Sequence, residues 1–264
     1  MKIYLVYSKS YENILRDAQV RILVNYASIG KKGQIEIPKG FPEVAVDSGG
    51  YQLQMNVQST RLPSVDAYSL WLVTEVLPFH PEVKAYFNLD ILGDGLQTLE
   101  NQFRMENYGL KPIPIFHLGE GEEFLRYYWE HYEYIAVGGL VAGNSSKKEL
   151  RILTSLLTQK YPGRKYHYFG IGITGTSVFR EARPYSVDFS TWANPAIYGN
   201  EIALDSKQLL KEVPLPDEIK DRIRGKGADK ELLYRYLRES VERIKSLEET
   251  IETIHDPEHQ RIMF

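Results

Sequence analysis

The apolar runs EVAV, YFNL, PIPIF, YIAV, YHYF and YSV end on Asp47, Asp90, His117, Gly138 with Gly139, Gly170-Ile171-Gly172, and Asp188. A carboxylate can carry a proton or attack an electrophilic carbon, an imidazole changes charge near neutrality, and glycine lets a ligand approach the backbone closely. Taken singly, an Asp at a strand end commonly caps the next helix or forms a turn. Taken together, three acids, a histidine and paired glycines ending successive runs point to acid/base or covalent glycosyl chemistry. The densest stretch is AVDSGGYQLQ, residues 45–54, in which Asp47, Ser48, Gly49, Gly50, Tyr51 and Gln52 stand side by side. A different motif, HDPEH at 255–259, fits the H-x-x-E-H spacing of a zinc site, but Pro257 would disturb the helix that such ligation needs. No metal is assigned to it.

The elements that must position these residues alternate in type. Strand-like runs KIYLVYS, EVAVDSG, VKAYFNLD, PIPIFHLG, YIAVGGLV, KYHYFGIGI and YSVDFST are separated by stretches of helical spacing such as DAYSLWLVTEVL, LQTLENQFRMENYG, EEFLRYYWEHY and KKELRILTSLLTQKY. Nearly continuous apolar strands in βα alternation predict a parallel sheet covered by helices, and a (β/α)8 TIM-type barrel, irregular in places, is the first expectation. An open doubly wound sheet is the alternative. The eighth strand lies in RILVNYAS, or that segment continues the preceding helix ENILRDAQV; QIEIP is a further short candidate. In a barrel the carboxyl ends of the strands converge on one mouth, so Asp47, Asp90 and Asp188 would meet there.

The 264 residues, 43% of them apolar, suffice for one large core. Residues 1–205 are expected to form the barrel and 206–264 a helical extension packed on it. SKQLLKEV, DEIKDRIRGKG and DKELLYRYLRESVERIKSLEETIETIHD read as helical, and in the last of these Leu232, Leu233, Tyr236, Leu237, Val241, Ile244, Leu247 and Ile251 form an apolar stripe for the barrel or a partner subunit. A formal charge of −3 creates no global field for a polyanion, which leaves local basic patches. Lys31, Lys32, Arg222, Arg224, Lys226 and Lys230 are the candidate phosphate contacts. Cysteine is absent, which excludes disulfides, thiolate zinc sites and cysteine nucleophiles. No stretch approaches a membrane span, so the expected location is the cytoplasm, or a host's cytoplasm for a viral chain.

DSGGYQ resembles the strand-end motif of the tRNA-guanine transglycosylases, the queuine and archaeosine tRNA-ribosyltransferase superfamily. These barrel enzymes exchange guanine in a nucleic acid for a 7-deazaguanine base. In the same order, FNLD resembles the family's base-recognition strand, VGGL its Gly-Gly-Leu segment, YFGIG its Met-Gly-Val-Gly segment and YSVDFS its nucleophile strand. The matches run from about residue 44 to 192. The resemblance implies a double displacement at the anomeric carbon, with Asp188 as nucleophile and Asp47 as the second active-site acid, which handles protons. It implies that Asp90 reads guanine's N1–H and amino group, that Tyr51 and Phe169 stack on the base, and that Gly138, Gly139 and Leu140 offer backbone amides beside Gly170. Ser48, Gly49, Gly50 and Gln52 complete that wall of the pocket. Asp94 could stand in for Asp90, although a loop or capping role suits it better.

Three departures from the family bear on substrate and role. His117 occupies the place of a base-contacting Gln. Thr191 stands where the family's nucleophile strand carries its second, nucleophilic Asp, so either Asp188 takes that role or the chain lacks it. The family's zinc site of three Cys and a His has no counterpart, so no cofactor is expected and tRNA is weakened as the substrate relative to DNA, into which viral relatives insert deazaguanines. A homodimer or a partner subunit is expected by analogy. The competing readings are a non-catalytic accessory subunit that binds nucleic acid, and a barrel hydrolase acting on a nucleoside or glycoside.

Overall fold

The computed structural model describes residues 1–29, 36–50, 64–139, 147–171, 176, 179, 184–206, 209–224 and 227–254. Eight parallel strands form one curled sheet: β1 Lys2–Val6, β2 Arg21–Asn25, β3 Val44–Asp47, β4 Val83–Tyr86, β5 Ile115–His117, β6 Tyr134–Gly138, β7 Lys165–Tyr168 and β8 Ser186–Phe189. Their spatial order is β4-β3-β2-β1-β8-β7-β6-β5, so the first and last strands in sequence are neighbours, as in a TIM-like arrangement. The two edges, β4 and β5, meet at a single bridge. Ile113 donates its N–H to the Tyr86 carbonyl at 2.9 Å and accepts from the Asn88 N–H at 3.1 Å. Pro112 and Pro114 flank Ile113, and neither can donate to a ladder, which is why this seam is a contact point and not a continuous closed barrel.

RILVNYAS resolves as strand β2 followed by the short helix α2 Tyr26–Ile29. The preceding helix α1, Glu12–Asp17, stops before Gln19, whose φ of 51° breaks the helical path. Of QIEIP, the described residues 36–38 join no element. Helices α3 Val65–Trp71, α4 Gly95–Asn107, α5 Glu122–His131 and α6 Lys147–Ser155 follow β3, β4, β5 and β6. α3 and α4 begin on side-chain caps: Ser64 accepts from the Ala67 N–H at 3.1 Å and Asp94 from the Gln97 N–H at 2.9 Å. Asp94 is therefore a helix cap, the role that suited it better in the sequence.

Alternation along the strands sorts the residues by face. Ile3, Leu5, Ile22, Val24, Val44, Val46, Ile135, Val137, Val187 and Phe189 belong to the core shared with the helices. Tyr4, Leu23, Ala45, Ala85, Phe87, Ile113, Ile115 and Ala136 pack together inside the curl, with Val6, Tyr134 and Phe169 against them. The side chains of Asn25, Asp47 and His117, two residues further along these inward series, therefore face inward at the carboxyl ends, as does the Cα of Gly138.

Past β8 the chain forms α7 Asn194–Ile197, an antiparallel hairpin of β9 Asn200–Leu204 and β10 Leu210–Pro214, α8 Asp217–Ile223 and the long helix α9 Lys230–Ile254. SKQLLKEV is thus not helical where it is described: Leu210 to Val213 pair with Leu204 to Glu201. The ladder supplied by β9 satisfies that backbone, and Pro214 and Pro216 bar a helix from forming through it. The hairpin also straddles position 205, the expected boundary of the extension. Tyr236, Leu237, Val241, Ile244, Leu247 and Ile251 of α9 are buried. This helix lies on the molecule itself, running from Tyr234 against Tyr11 to Glu248, which accepts from Arg21 at the amino end of β2.

Candidate active site

At the carboxyl ends of the strands a cavity of about 190 Å³ is lined by Asp47, Asp90, His117, Gly138, Gly139, Phe169, Gly170 and Asp188, together with Asn25 and Ser190. A larger hollow of about 340 Å³ lies between α9 and the amino ends of β1 and β2. Its charged groups are engaged with one another, Arg21 with Glu43 and Glu248, so the carboxyl-end cavity is the one that gathers chemistry.

Sheet register brings the site together. Asn25 pairs with Asp47 across β2 and β3, and its Nδ2–H donates to Asp47 Oδ2 at 2.9 Å. Asp47 is partly open to the cavity yet lies deep in the protein. Burial first, then the neighbouring Asp90 and more weakly Asp188, push its pKa up to about 8 against the opposing N–H groups of Gly49 and Ser48. At neutral pH it holds a proton. Gly49, at φ 82°, takes a turn closed to most side chains, and a Cβ there would lie 2.3 Å from Asn25 Oδ1. Behind it, buried Ser48 accepts from the Gly50 N–H at 3.3 Å and donates to Asp90 Oδ1 at 3.4 Å.

Asp90 lies in the loop after β4, which α4 pins from below. Asn88 Nδ2 donates to the Thr98 carbonyl at 3.2 Å, the Ile91 N–H to Thr98 Oγ1 at 2.9 Å, and Asn101 Nδ2 to the Leu89 carbonyl at 2.9 Å. His117, paired with Gly138 in register, is clamped between two acids: Nε2 is 2.9 Å from Asp90 Oδ2 and Nδ1 is 2.7 Å from Glu120 Oε1. Burial alone would lower its pKa, but the hydrogen bonds to Asp90 and Glu120 outweigh it and raise the imidazole to about 9. His117 is an imidazolium at pH 7 with both N–H groups spent. A Cβ on Gly138 would meet its ring at 2.9 Å, so glycine is what leaves room for the clamp.

On the far side, Asp188 Oδ1 accepts the Gly170 N–H at 2.8 Å. Phe169 packs edge-on against Phe87 and His167, with centroids 4.7 and 4.5 Å away, and shows its remaining surface to the cavity. Thr191 is exposed in the turn after β8 and is not part of the lining.

Of the residues expected from the sequence, Asp47, Asp90, His117, Gly138, Gly139, Phe169, Gly170 and Asp188 line one cavity, with Ser48, Gly49 and Gly50 behind Asp47 and Asp90. Tyr51, Gln52 and Leu140 lie outside the described residues, as do Lys31, Lys32, Lys226 and HDPEH. Arg222 is engaged by Asp229 at 2.7 Å, while Arg224 and Lys230 are exposed. Asn25, Glu120, His167 and Ser186 were not anticipated. Asn25 ends the run RILV just as Asp47 ends EVAV, so the strand-end pattern could have found it. Glu120 depends on a three-residue turn after His117 and carries no sequence signal of its own.

Among the described residues no group of three or more His, Asp or Glu side chains is arranged to hold a metal ion, and no helix is long and apolar enough to cross a membrane. No protein-family model matches the chain, and no curated protein matches its sequence.

Proposed function

We propose that the protein is a base-exchange transglycosylase that replaces guanine in DNA or tRNA with a 7-deazaguanine base through a covalent Asp188-glycosyl intermediate. One observation carries this reading: a proton-holding Asp47, an acceptor Asp90 fixed by an imidazolium, and Asp188 face the same small cavity. The cavity lies below the roughly 300–1,000 Å³ of drug-sized sites and suits a single heterocycle. In this reading the curled sheet is that of a TIM-type barrel with an irregular seam.

Asp188 attacks the anomeric carbon, the electron pair of the glycosidic C–N bond passes to guanine, and Asp47 supplies the proton that guanine needs to leave neutral. The incoming base returns a proton to Asp47 as its ring nitrogen displaces the Asp188 carboxylate. Two inversions give net retention, and no electrons are exchanged with any other reagent. Asp90 accepts from the N1–H and amino edge of guanine, a pair of donors that adenine and cytosine do not present. Phe169 supplies one stacking face.

Radiolabelled guanine, incubated separately with duplex DNA, single-stranded DNA and tRNA, is expected to enter one of these polymers. A second reading, a non-catalytic subunit that binds nucleic acid beside an active partner, is favoured by Thr191 at the family's nucleophile position. Failure of the folded protein to label any polymer, together with tight binding to one of them, would select it.

A further inference from the structure

One polar side chain inside the curl belongs neither to the cavity lining nor to any satisfied network. His167 is fully buried, with the rings of Phe87, Phe169 and Tyr4 at 4.8, 4.5 and 6.2 Å. Its Nδ1 is 2.7 Å from Ser186 Oγ, which in turn contacts the Tyr134 hydroxyl. Nε2 has no hydrogen-bond partner and stands 3.7 Å from Asp188 Oδ1. An unpaired buried polar atom is costly, and a Phe at this aromatic-lined position would avoid that cost. Burial lowers the imidazole's pKa more than Asp188 raises it, so the ring is neutral and holds one proton. The two hydroxyls can donate in series, Tyr134 to Ser186 and Ser186 to Nδ1, which leaves that proton on Nε2, the ring nitrogen 3.7 Å from Asp188 Oδ1. The opposite tautomer would set a nitrogen lone pair against a carboxylate oxygen.

We infer that His167 is the positioning residue of Asp188: the Gly170 N–H holds Oδ1 at 2.8 Å, and the Nε2–H, 3.7 Å from the same oxygen, attracts it electrostatically, which presents Oδ2 to the substrate. The reacting partner, an anomeric carbon, rests on the transglycosylase reading, but the pairing of His167 with Asp188 does not. His167 acts only through Asp188, since it does not line the cavity. Its N–H favours the carboxylate as the bond from Oδ2 to the sugar carbon breaks and the electron pair returns to Asp188 in the second displacement.

The test combines two variants and one spectrum. His167→Phe keeps the aromatic packing and removes the donor; His167→Gln keeps an N–H near the Nε2 position. In single-turnover assays His167→Phe is expected to slow formation and decay of the covalent nucleic-acid adduct about 10- to 100-fold, the range for residues that orient a functional group from behind, with KM for the incoming base unchanged. His167→Gln is expected to recover most of that loss. Independently of folding in those variants, nitrogen-15 spectra of the wild-type histidines are expected to show the Nε2–H tautomer for His167, with a signal that moves in Asp188→Asn. An Nδ1–H tautomer indifferent to Asp188→Asn, or a His167→Phe protein that forms adduct at the wild-type rate, would overturn the inference. If the wild-type protein forms no adduct at all, the transglycosylase reading falls, and the spectra still decide the pairing.

Discussion

At neutral pH Asp47 keeps its proton because burial and the nearby acids Asp90 and Asp188 make a further negative charge unfavourable. A carboxyl whose pKa is higher in the fold than in the unfolded chain penalises the fold increasingly as pH rises from about 4 to about 8. His117 acts in the same direction over a later window. Its stabilising contribution is whole below its ordinary value of 6.5 and is lost as pH rises through about 9. From pH 6.5 the protein therefore loses stability through both groups up to about 8 and through His117 alone up to about 9, and the urea midpoint is expected to fall over that range. Asp47→Asn should flatten the part of this decline below pH 8 and raise stability at pH 8 by the order of 1–3 kcal/mol while abolishing exchange. A variant less stable than wild type at pH 8 would show that Asp47 is not held neutral. Asp188→Asn is expected to remove the covalent adduct, which denaturing gels of protein mixed with labelled nucleic acid would reveal. Gly50→Ala tests close packing in the same way: its Cβ would fall 2.4 Å from the Asp90 carbonyl and 2.7 Å from Asp90 Oδ1. The expected result is a KM for guanine raised at least about tenfold and a stability loss of about 1–3 kcal/mol, typical of overpacking.

Among the elements, the strands and helices of the site region follow from local pattern, whereas the hairpin and the seam depend on neighbours. The apolar stripe of α9 is read directly from its spacing, and its buried residues match that stripe. Leu247, fully buried on α9, makes a clean probe: Leu247→Ala is expected to cost about 2–5 kcal/mol in chemical denaturation and to leave adduct yield unchanged, because α9 packs on the opposite end from the cavity at that position. By contrast, SKQLLKEV has helical composition but its residues Leu210 to Val213 form a strand, because β9 offers them a ladder and two prolines close off the alternative. The seam between β4 and β5 is written in Pro112 and Pro114, yet its meaning appears only once those strands are known to be the sheet's edges.

At the scale of the whole molecule, the sheet gathers acids from β3, β8 and the loop after β4 that are separated by up to 141 positions in the chain, from Asp47 to Asp188. On the proposed reading, a single proton on Asp47 links exchange to pH. The exchange rate is expected to fall as pH rises through about 8, when Asp47 can no longer protonate the departing guanine. A rate that climbs steadily from pH 7 to 9 would assign Asp47 another role. On the transglycosylase reading, the three-way comparison of duplex DNA, single-stranded DNA and tRNA separates the candidate polymers.

The sequence alone marked seven of the eight strands of the parallel sheet, because continuous apolar runs must be buried on both faces, left β2 open and misread β10, and it marked Asp47, Asp90, His117 and Asp188 as strand-end groups. Period-two alternation then decided that Asp47, His117 and Asp188 point inward, while Asp90 is placed by the loop after β4. Tertiary structure decided what they do there. The proton on Asp47, the clamp of His117 between Asp90 and Glu120, and the approach of His167 to Asp188 arise from burial and from register between strands far apart in sequence. Such energies depend on distance and local dielectric, and neither is set until the chain has closed around the site.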